Sequence, residues 1–254
     1  MVQSHRLRRK LDAREPVTGA IVNVNAPWFI DLLGISGFDF VMLDAEHGPI
    51  TPENVEPMIR AAEQAGMSAL VRVPANIAHI ILGFLDAGAL AIQVPHIQNA
   101  DDARRAVAAV RYPPVGARGM SMMTRAARHG FGPAAPDYVA AANREIVLIP
   151  MIETMESVDN IDAILDVEGV DALFIGTGDL AASVGLPGQR GAPAVREAIR
   201  HVIARATAKG VPVGLPVSDV ASANAAREAG AVFLEVAVTN LVVATGREFL
   251  EAIA

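Results

Sequence analysis

Short apolar runs alternate with amphipathic segments along the whole chain. Eight runs are rich in β-branched and other large apolar residues, and they cover residues 18–24, 38–44, 69–73, 91–95, 146–152, 172–176, 211–217 and 232–238. Most of them are apolar at consecutive positions, which is typical of strands buried on both faces of a parallel sheet. The segments between them have the apolar spacing of helices, so the pattern predicts repeated β/α units.

Glycines end several of the helical segments just before the next strand, at Gly66, Gly88, Gly210 and Gly230. Glycine adopts the left-handed conformation that closes a helix without steric cost. The alternation shows no break in composition, and 254 residues suit one α/β barrel. We therefore predict an α/β protein with a single (β/α)8 TIM barrel domain over residues 1–254. An N-terminal helix at about 3–13 and an extra C-terminal helix at about 241–254 complete this prediction.

One segment, residues 111–137, departs from the pattern. It follows the fourth apolar run and is rich in proline, glycine, methionine and arginine. Long loops in compact domains are usually functional or lie at interfaces. We expect this segment to form an active-site lid or a contact between subunits.

Composition excludes several classes of protein. The net charge of −7 argues against a nucleic-acid partner, and the absence of cysteine excludes disulfides, thiolate nucleophiles and cysteine-bound zinc. The first residues lack the apolar core of a signal peptide, and no apolar stretch reaches the roughly 18 residues of a membrane span. We expect a cytoplasmic protein that has no membrane partner.

The candidate chemistry lies where the predicted strands end, because the active sites of such barrels form at the carboxyl ends of the strands. Polar residues at these ends are Asp44, Glu46, His47, Arg72, Gln93, His96, Glu153 and the turn Gly176-Thr177-Gly178-Asp179. The glycines of that turn open a helix, and its backbone amides can receive a carboxylate or a phosphate.

Glu153 and Asp179 follow neighbouring strands and both leave apolar runs. Two buried carboxylates that lack partners repel each other, and a divalent cation between them would relieve that repulsion. A site made only of oxygen ligands favours Mg, Mn or Co. The alternative interpretation is that each carboxylate caps the helix after its strand, and Asp179 fits such a position.

Arg72 lies inside an apolar strand, so its guanidinium requires an anion, either a neighbouring carboxylate or a substrate oxygen. His47, next to Asp44 and Glu46, suggests a base that a carboxylate orients, although it could also be a structural histidine. We expect the remaining histidines outside the strand ends to lie at the surface; these are His5, His79, His129 and His201.

The motifs LDAEHGP, RVP, RYPPVGARG and RAARHG, with the run IETMESVDNIDAILDVEGVDALFIGTGDLAASVGLPG, closely resemble the HpcH/HpaI aldolase family. The similarity extends from about residue 18 to 246. The resemblance implies a TIM barrel in which Glu153 and Asp179 bind Mg, Mn or Co. It also implies that Arg72 contacts the keto oxygen and that the amides of Gly178 and Asp179 receive the substrate carboxylate.

In the same family His47 would be the acid/base, and its acidic partner would be either Asp44 or Asp86, the latter from a neighbouring subunit. Members of the family are typically hexamers that exchange C-terminal helices. The expected reaction is cleavage of a 4-hydroxy-2-oxo acid to pyruvate, or hydroxypyruvate, and an aldehyde. The alternative is decarboxylation of a 2-oxo acid such as oxaloacetate at the same metal–enolate site.

The lysines exclude a different mechanism. Only Lys10 and Lys209 are present, the first before strand 1 and the second just before strand 7. A Schiff-base aldolase needs a lysine whose amine reaches the substrate carbonyl, and neither of these lies at the carboxyl end of a strand. We therefore expect a divalent metal ion as cofactor, with no Schiff-base lysine and no nucleotide cofactor.

Overall fold

The computed structural model describes residues 5–254, and within that range eight parallel strands form a closed barrel in the order β1-β2-β3-β4-β5-β6-β7-β8. The strands are β1 Val17–Val22, β2 Phe40–Asp44, β3 Ser68–Arg72, β4 Ala91–Val94, β5 Val147–Ile152, β6 Leu173–Ile175, β7 Val213–Val217 and β8 Phe233–Ala237. The predicted TIM barrel is confirmed. Each strand starts and ends within two residues of the apolar run that predicted it.

Helices occupy the segments between the strands. They are α1 Arg6–Asp12, α2 Pro27–Ile35, α3 Glu56–Gln64, α4 Ala78–Ala87, α5 Ala100–Val110, α6 Ala135–Glu145, α7 Met155–Asp159, α8 Ile161–Leu165, α9 Thr177–Ser183, α10 Pro193–Ala208, α11 Val220–Glu228 and α12 Val238–Ile253, with a 3-10 turn at Arg128–Gly130. Part of the predicted helix at 3–13 lies outside the described residues. The C-terminal helix begins at Val238, directly after β8. None of the helices within residues 5–254 has the length and hydrophobicity that crossing a membrane requires.

The lower part of the barrel is filled by aromatic rings. The ring centroid of Phe233 lies 6.2 Å from that of Phe40 and 5.6 Å from that of Phe174. Two glycines on neighbouring strands, Gly19 on β1 and Gly214 on β7, make room for these rings. A Cβ atom at Gly19 would lie 2.3 Å from Phe40, and one at Gly214 would lie 2.3 Å from Phe233. The barrel axis is therefore filled with side chains at this depth.

This close packing makes a prediction about stability. We expect Gly19→Ala to lower the free energy of unfolding by about 1–3 kcal/mol, because the added methyl group must displace the buried Phe40 ring. Urea unfolding of the wild type and the variant measures the difference. Gly191→Ala is the matched control, since nothing lies within 4 Å of a Cβ atom there. Equal stabilities of the two variants would contradict the packing argument.

Helix α1 lies at the amino end of the barrel and buries Leu7 and Leu11. His5, just before this helix, was expected at the surface, and that prediction is wrong because its side chain is buried between two elements. The Ser68 hydroxyl lies 2.9 Å from Nδ1, and Nε2 donates to the Glu145 carbonyl oxygen at 3.0 Å. Burial lowers the pKa of His5 to about 4, so this histidine is neutral at pH 7.

The segment at 111–137 does not start at the carboxyl end of the barrel, as the expected active-site lid would, because α5 comes between β4 and this segment. It therefore starts at the amino ends of the strands. Arg125 donates to the Ala87 carbonyl oxygen at 3.0 Å and Arg118 to Asp86 at 3.0 Å, and both partners belong to the last turn of α4. An active-site lid within the same subunit is therefore wrong. The alternative, a contact between subunits, stays a prediction.

Candidate active site

The strand ends bring most of the predicted site residues to one edge of the barrel. Asp44 and Arg72 are the last residues of β2 and β3, and the two are direct partners in the register of these strands. Glu153 follows β5, and Asp179 lies in the first turn of α9, just after β6. Carboxyl ends of parallel strands meet at one face, so these charged groups share a single site.

Arg72 and Asp44 form a fork-to-fork ion pair. Arg72 Nε donates to Asp44 Oδ1 at 2.9 Å, and Nη2 donates to Oδ2 at 2.6 Å. Burial opposes the charge of Arg72, but its bonds to Asp44 outweigh burial and raise the pKa of Arg72 above its ordinary value. Two parallel bonds of this kind fix the plane of the guanidinium. Arg72 is therefore a permanent and oriented positive charge.

Asp44 also organises the loop that carries His47. Its Oδ1 accepts bonds from the backbone N–H groups of Glu46 at 3.1 Å and His47 at 3.2 Å. These bonds and the pair with Arg72 engage both oxygens of Asp44. The His47 ring instead approaches Glu46, with Nε2 lying 3.9 Å from Oε2. Asp44 thus supports the backbone at His47. Within the described chain, Asp44 makes no hydrogen bond to the His47 ring.

Glu46 connects the groups at the centre of the site. Its Oε2 lies 3.3 Å from Arg72 Nη1, and its Oε1 lies 3.6 Å from His96 Nε2. From the sequence, Glu46 was expected only to lie next to His47, and no role was predicted for His96. Their positions could have identified both residues, since each lies two residues after the end of a strand. A polar residue at that place faces the mouth of the barrel.

His96 lies between the two carboxylates Glu46 and Glu153. Its backbone N–H donates to Glu153 Oε1 at 2.6 Å, and its Nδ1 lies 3.0 Å from the same oxygen. The backbone of His96 has φ +57, a left-handed conformation that costs a residue with a side chain about 1–2 kcal/mol. Such strain persists where the surrounding contacts hold it, and here the contact is the carboxylate of Glu153.

Glu153 is buried, and its surroundings favour a cation. Burial raises the pKa of Glu153, the His96 amide opposes that shift, and the charges of Glu46 and Asp179 raise it further. Gly176 allows this arrangement, because a Cβ atom there would lie 2.9 Å from Glu153 Cβ. A cation near Glu153 and Asp179 would relieve both the burial and the repulsion.

The alternative role of these carboxylates as helix caps does not hold. Thr154 is the N-cap of α7, and its hydroxyl accepts the bond from Ser157. Gly176 is the N-cap of α9, and no side chain caps that helix. Glu153 and Asp179 are thus available as ligands. Within residues 5–254 no three His, Asp or Glu side chains form a group that could hold a metal ion.

Three predicted residues lie away from this edge. Asp86 is in the last turn of α4, near the amino end of β4, where it pairs with Arg118. Lys10 is on α1 and pairs with Asp39, Nζ to Oδ1 at 2.8 Å. Lys209 follows α10 and lies near the amino end of β7. Neither lysine approaches Arg72 or Glu153, because both belong to the opposite end of the barrel.

Known proteins resemble the chain over nearly its full length. The family model of HpcH/HpaI aldolase/citrate lyase matches residues 18–245. A pyruvate aldolase of Rhizobium etli is 39% identical over 96% of this chain and 95% of its own. A 5-keto-4-deoxy-D-glucarate aldolase of Salmonella paratyphi A is 38% identical over 78% of this chain and 76% of its own.

The fold agrees with these similarities. A crystal structure of an HpcH/HpaI aldolase/citrate lyase family protein from Burkholderia cenocepacia superposes with a TM-score of 0.93. It is 33% identical and covers 98% of this chain and 99% of its own. The match thus includes the whole barrel as well as the motifs at its mouth, and the relatives place the chain among enzymes of the lyase class. The chain belongs to the HpcH/HpaI aldolase/citrate lyase family.

Proposed function

We propose that this protein is a metal-dependent aldolase that cleaves 4-hydroxy-2-oxo acids to pyruvate, or hydroxypyruvate, and an aldehyde, and that catalyses the reverse addition. One observation carries the proposal: a fixed, part-buried guanidinium lies at the same barrel mouth as buried Glu153, whose pKa is raised by burial and by the charges of Glu46 and Asp179. Cleavage of such an acid leaves an enolate. Arg72, with a cation held by Glu153 and Asp179, would supply positive charge where the negative charge of the enolate develops.

Glu153 and Asp179 would hold Mg, Mn or Co, which supplies a Lewis acid and a template for the 2-oxo acid. Arg72 contacts the keto oxygen and stabilises the enolate as it forms. The backbone amides of Gly178 and Asp179, in the first turn of α9, receive the substrate carboxylate. The three contacts together fix the carboxylate and the keto group, so that the bond between C3 and C4 is the one that breaks.

His47 would take the proton of the C4 hydroxyl group as the bond between C3 and C4 breaks, and a proton returned to C3 would convert the enolate to the 2-oxo acid. The His47 side chain is 65% exposed, so it lies at the solvent side of the site, where the aldehyde half of the substrate extends. Asp44 is buried and binds Arg72 with both oxygens, whereas Asp86 binds Arg118 through Oδ1 and its side chain is 26% exposed. This difference favours Asp86 of a neighbouring copy as the partner of His47. A carboxylate on the imidazole fixes its tautomer and stabilises its charged form.

An assembly such as a hexamer is part of this proposal, and the exposed face of α12 supports it. The large apolar side chains exposed on this helix are Leu241, Val242, Val243, Phe249, Leu250 and Ile253. Trp28 and Ile35 on α2 extend the apolar surface, with exposed fractions of 66% and 83%. Apolar patches of this extent usually lie at interfaces. A second copy of the chain covering this face would also bring its own loops toward the barrel mouth.

The test is an aldol assay with pyruvate or hydroxypyruvate, a panel of aldehydes and Mn²⁺, followed by proton NMR. We expect new 4-hydroxy-2-oxo acids, and we expect cleavage of the same compounds when they are supplied alone. Oxaloacetate serves as the comparison, since a decarboxylase would release carbon dioxide from it without forming carbon–carbon bonds. Turnover of oxaloacetate with no aldol product from any aldehyde would overturn the proposal in favour of the decarboxylase. Borohydride added with pyruvate should cause no inactivation.

A further inference from the structure

A buried pair of one carboxyl group and one carboxamide lies deeper in the barrel, below the site. Glu235, on β8, is 0% exposed, and Gln93, on β4, is 0% exposed as well. Within the described residues neither carboxylate oxygen of Glu235 and neither amide atom of Gln93 has a hydrogen-bond partner of good geometry. A buried polar group that lacks a partner costs about 1–3 kcal/mol, so a sealed pair of this kind requires an explanation.

The strands beside Glu235 offer it no polar side chain. Its register partners are Gly19 on β1 and Pro216 on β7, which supply neither a charge nor a side-chain donor. The polar and charged groups that face it come from three other strands: Asp44 on β2, Arg72 on β3 and Gln93 on β4. Arg72 is therefore the only cation among these facing groups, and Asp44 already binds it with both oxygens.

The charges near Arg72 decide the state of Glu235. Asp44 and Glu46 both contact the guanidinium, so one positive charge already faces two negative ones. An ionised Glu235 would be a third carboxylate in a sealed space, where Arg72 is already paired with Asp44 and Gln93 makes no hydrogen bond of good geometry to it. Burial raises the pKa of Glu235 to about 8, and Asp44 raises it further while Arg72 and Gln93 oppose the shift. The burial of Glu235, its lack of hydrogen-bond partners and the charges around it thus all favour a protonated carboxyl group at pH 7.

We propose that Glu235 is a positioning residue that stays a neutral acid beside Gln93, and so leaves the positive charge of Arg72 available to the enolate. This inference rests on the proposed aldolase function. When Glu235 ionises, its new negative charge lies near Arg72 and opposes the negative charge that develops on the substrate. The protein thus contains a group, remote from the reacting atoms, that switches off enolate stabilisation at alkaline pH.

The kinetic test compares the pH profile of kcat in the wild type and in Glu235→Gln. The wild type should lose kcat above an apparent pKa near 8, by up to about tenfold per pH unit. The variant, which cannot ionise at this position, should lack that inflection. Glu145→Gln replaces another buried glutamate at the far end of the barrel, and it should retain the wild-type profile.

Two further measurements do not use the reaction. Infrared spectra of the wild type should show the carbonyl stretch of a protonated carboxyl group at pH 7, lost with a midpoint near pH 8 and absent from Glu235→Gln. Folding gives an independent readout. Because the pKa of Glu235 is raised on folding from 4.5 to about 8, the folded state holds a proton that the unfolded state releases over this range. The folding constant of the wild type relative to the variant should thus fall about tenfold per pH unit between these values.

These outcomes separate the two proposals. Identical kcat profiles in an active wild type and an active Glu235→Gln would overturn the role of Glu235 and leave the aldolase function standing. If the variant fails to fold, the absence of the infrared midpoint near pH 8 in the wild type would overturn that role. Absence of any carbon–carbon bond chemistry in the wild type would overturn the proposed function, even where the infrared measurement shows the neutral acid.

Discussion

Glu153→Ala should eliminate metal binding and lower kcat by about 10³-fold or more. A bound cation of this kind contributes several kcal/mol to the transition state, and each 1.36 kcal/mol or so corresponds to a factor of ten in rate. The loss is expected because Glu153 is the buried one of the two proposed ligands, whereas Asp179 is exposed in the first turn of α9. Titration calorimetry with Mn²⁺ measures binding, and steady-state assays with and without EDTA measure the dependence of the rate on metal.

Glu156→Ala is the matched control for that experiment. Glu156 lies three residues further on, in the first turn of α7, and its side chain is exposed. This variant should bind Mn²⁺ with the wild-type affinity. Full activity of the wild type after removal of all metal, or wild-type Mn²⁺ affinity in Glu153→Ala, would contradict the metal site.

Arg72→Ala has the second largest expected effect, a loss of about 10²–10³ in kcat, as for the removal of one oxyanion donor. It also leaves Asp44 buried with no cation, which destabilises a protein by about 3–5 kcal/mol. The kcat of Arg72→Ala must therefore be compared with a urea unfolding curve of the same variant, which shows whether the protein is folded under the assay conditions. Arg72→Lys separates the effect on kcat from the effect on stability, because lysine keeps the positive charge but cannot donate two parallel hydrogen bonds to Asp44.

We expect Arg72→Lys to recover stability more fully than kcat, since a lysine ammonium is a point charge that cannot hold the geometry of the pair. Asp44→Asn is a second comparison, because it keeps the shape of the partner while it removes its charge. A change confined to KM in these variants would show that Arg72 only binds substrate and takes no part in stabilising the transition state.

The architecture follows from the sequence because each strand is buried on both faces and so leaves a continuous apolar run. The main site residues follow from the same pattern, since a charged residue that ends such a run can lie only at the barrel mouth. Arg72 and Glu153 were identified in this way. The contact between Arg72 and Asp44 also has a local cause, as the register of two neighbouring strands places them side by side.

The positions of other residues depend on contacts between distant parts of the chain, which the local sequence pattern does not predict. Glu235 lies inside an apolar run, and only the closed barrel shows that it faces Arg72 from another strand. His5 is polar and near the end of the chain, yet α1 carries it into a buried position against Ser68. The course of the segment at 111–137 was misjudged for a similar reason, because the intervening helix α5 reverses the direction of the chain.

The aromatic floor of the barrel has a consequence for the kinetic order of the proposed reaction. Phe40, Phe174 and Phe233 close the axis from below, so substrates and products exchange through one opening. The 2-oxo acid half would occupy the inner position, beside buried Glu153, and the aldehyde half would lie outside it, near exposed His47. The outer fragment then has to depart before the inner one. The proposed cleavage would thus release the aldehyde first and the 2-oxo acid second, and the reverse addition would require the 2-oxo acid to bind first.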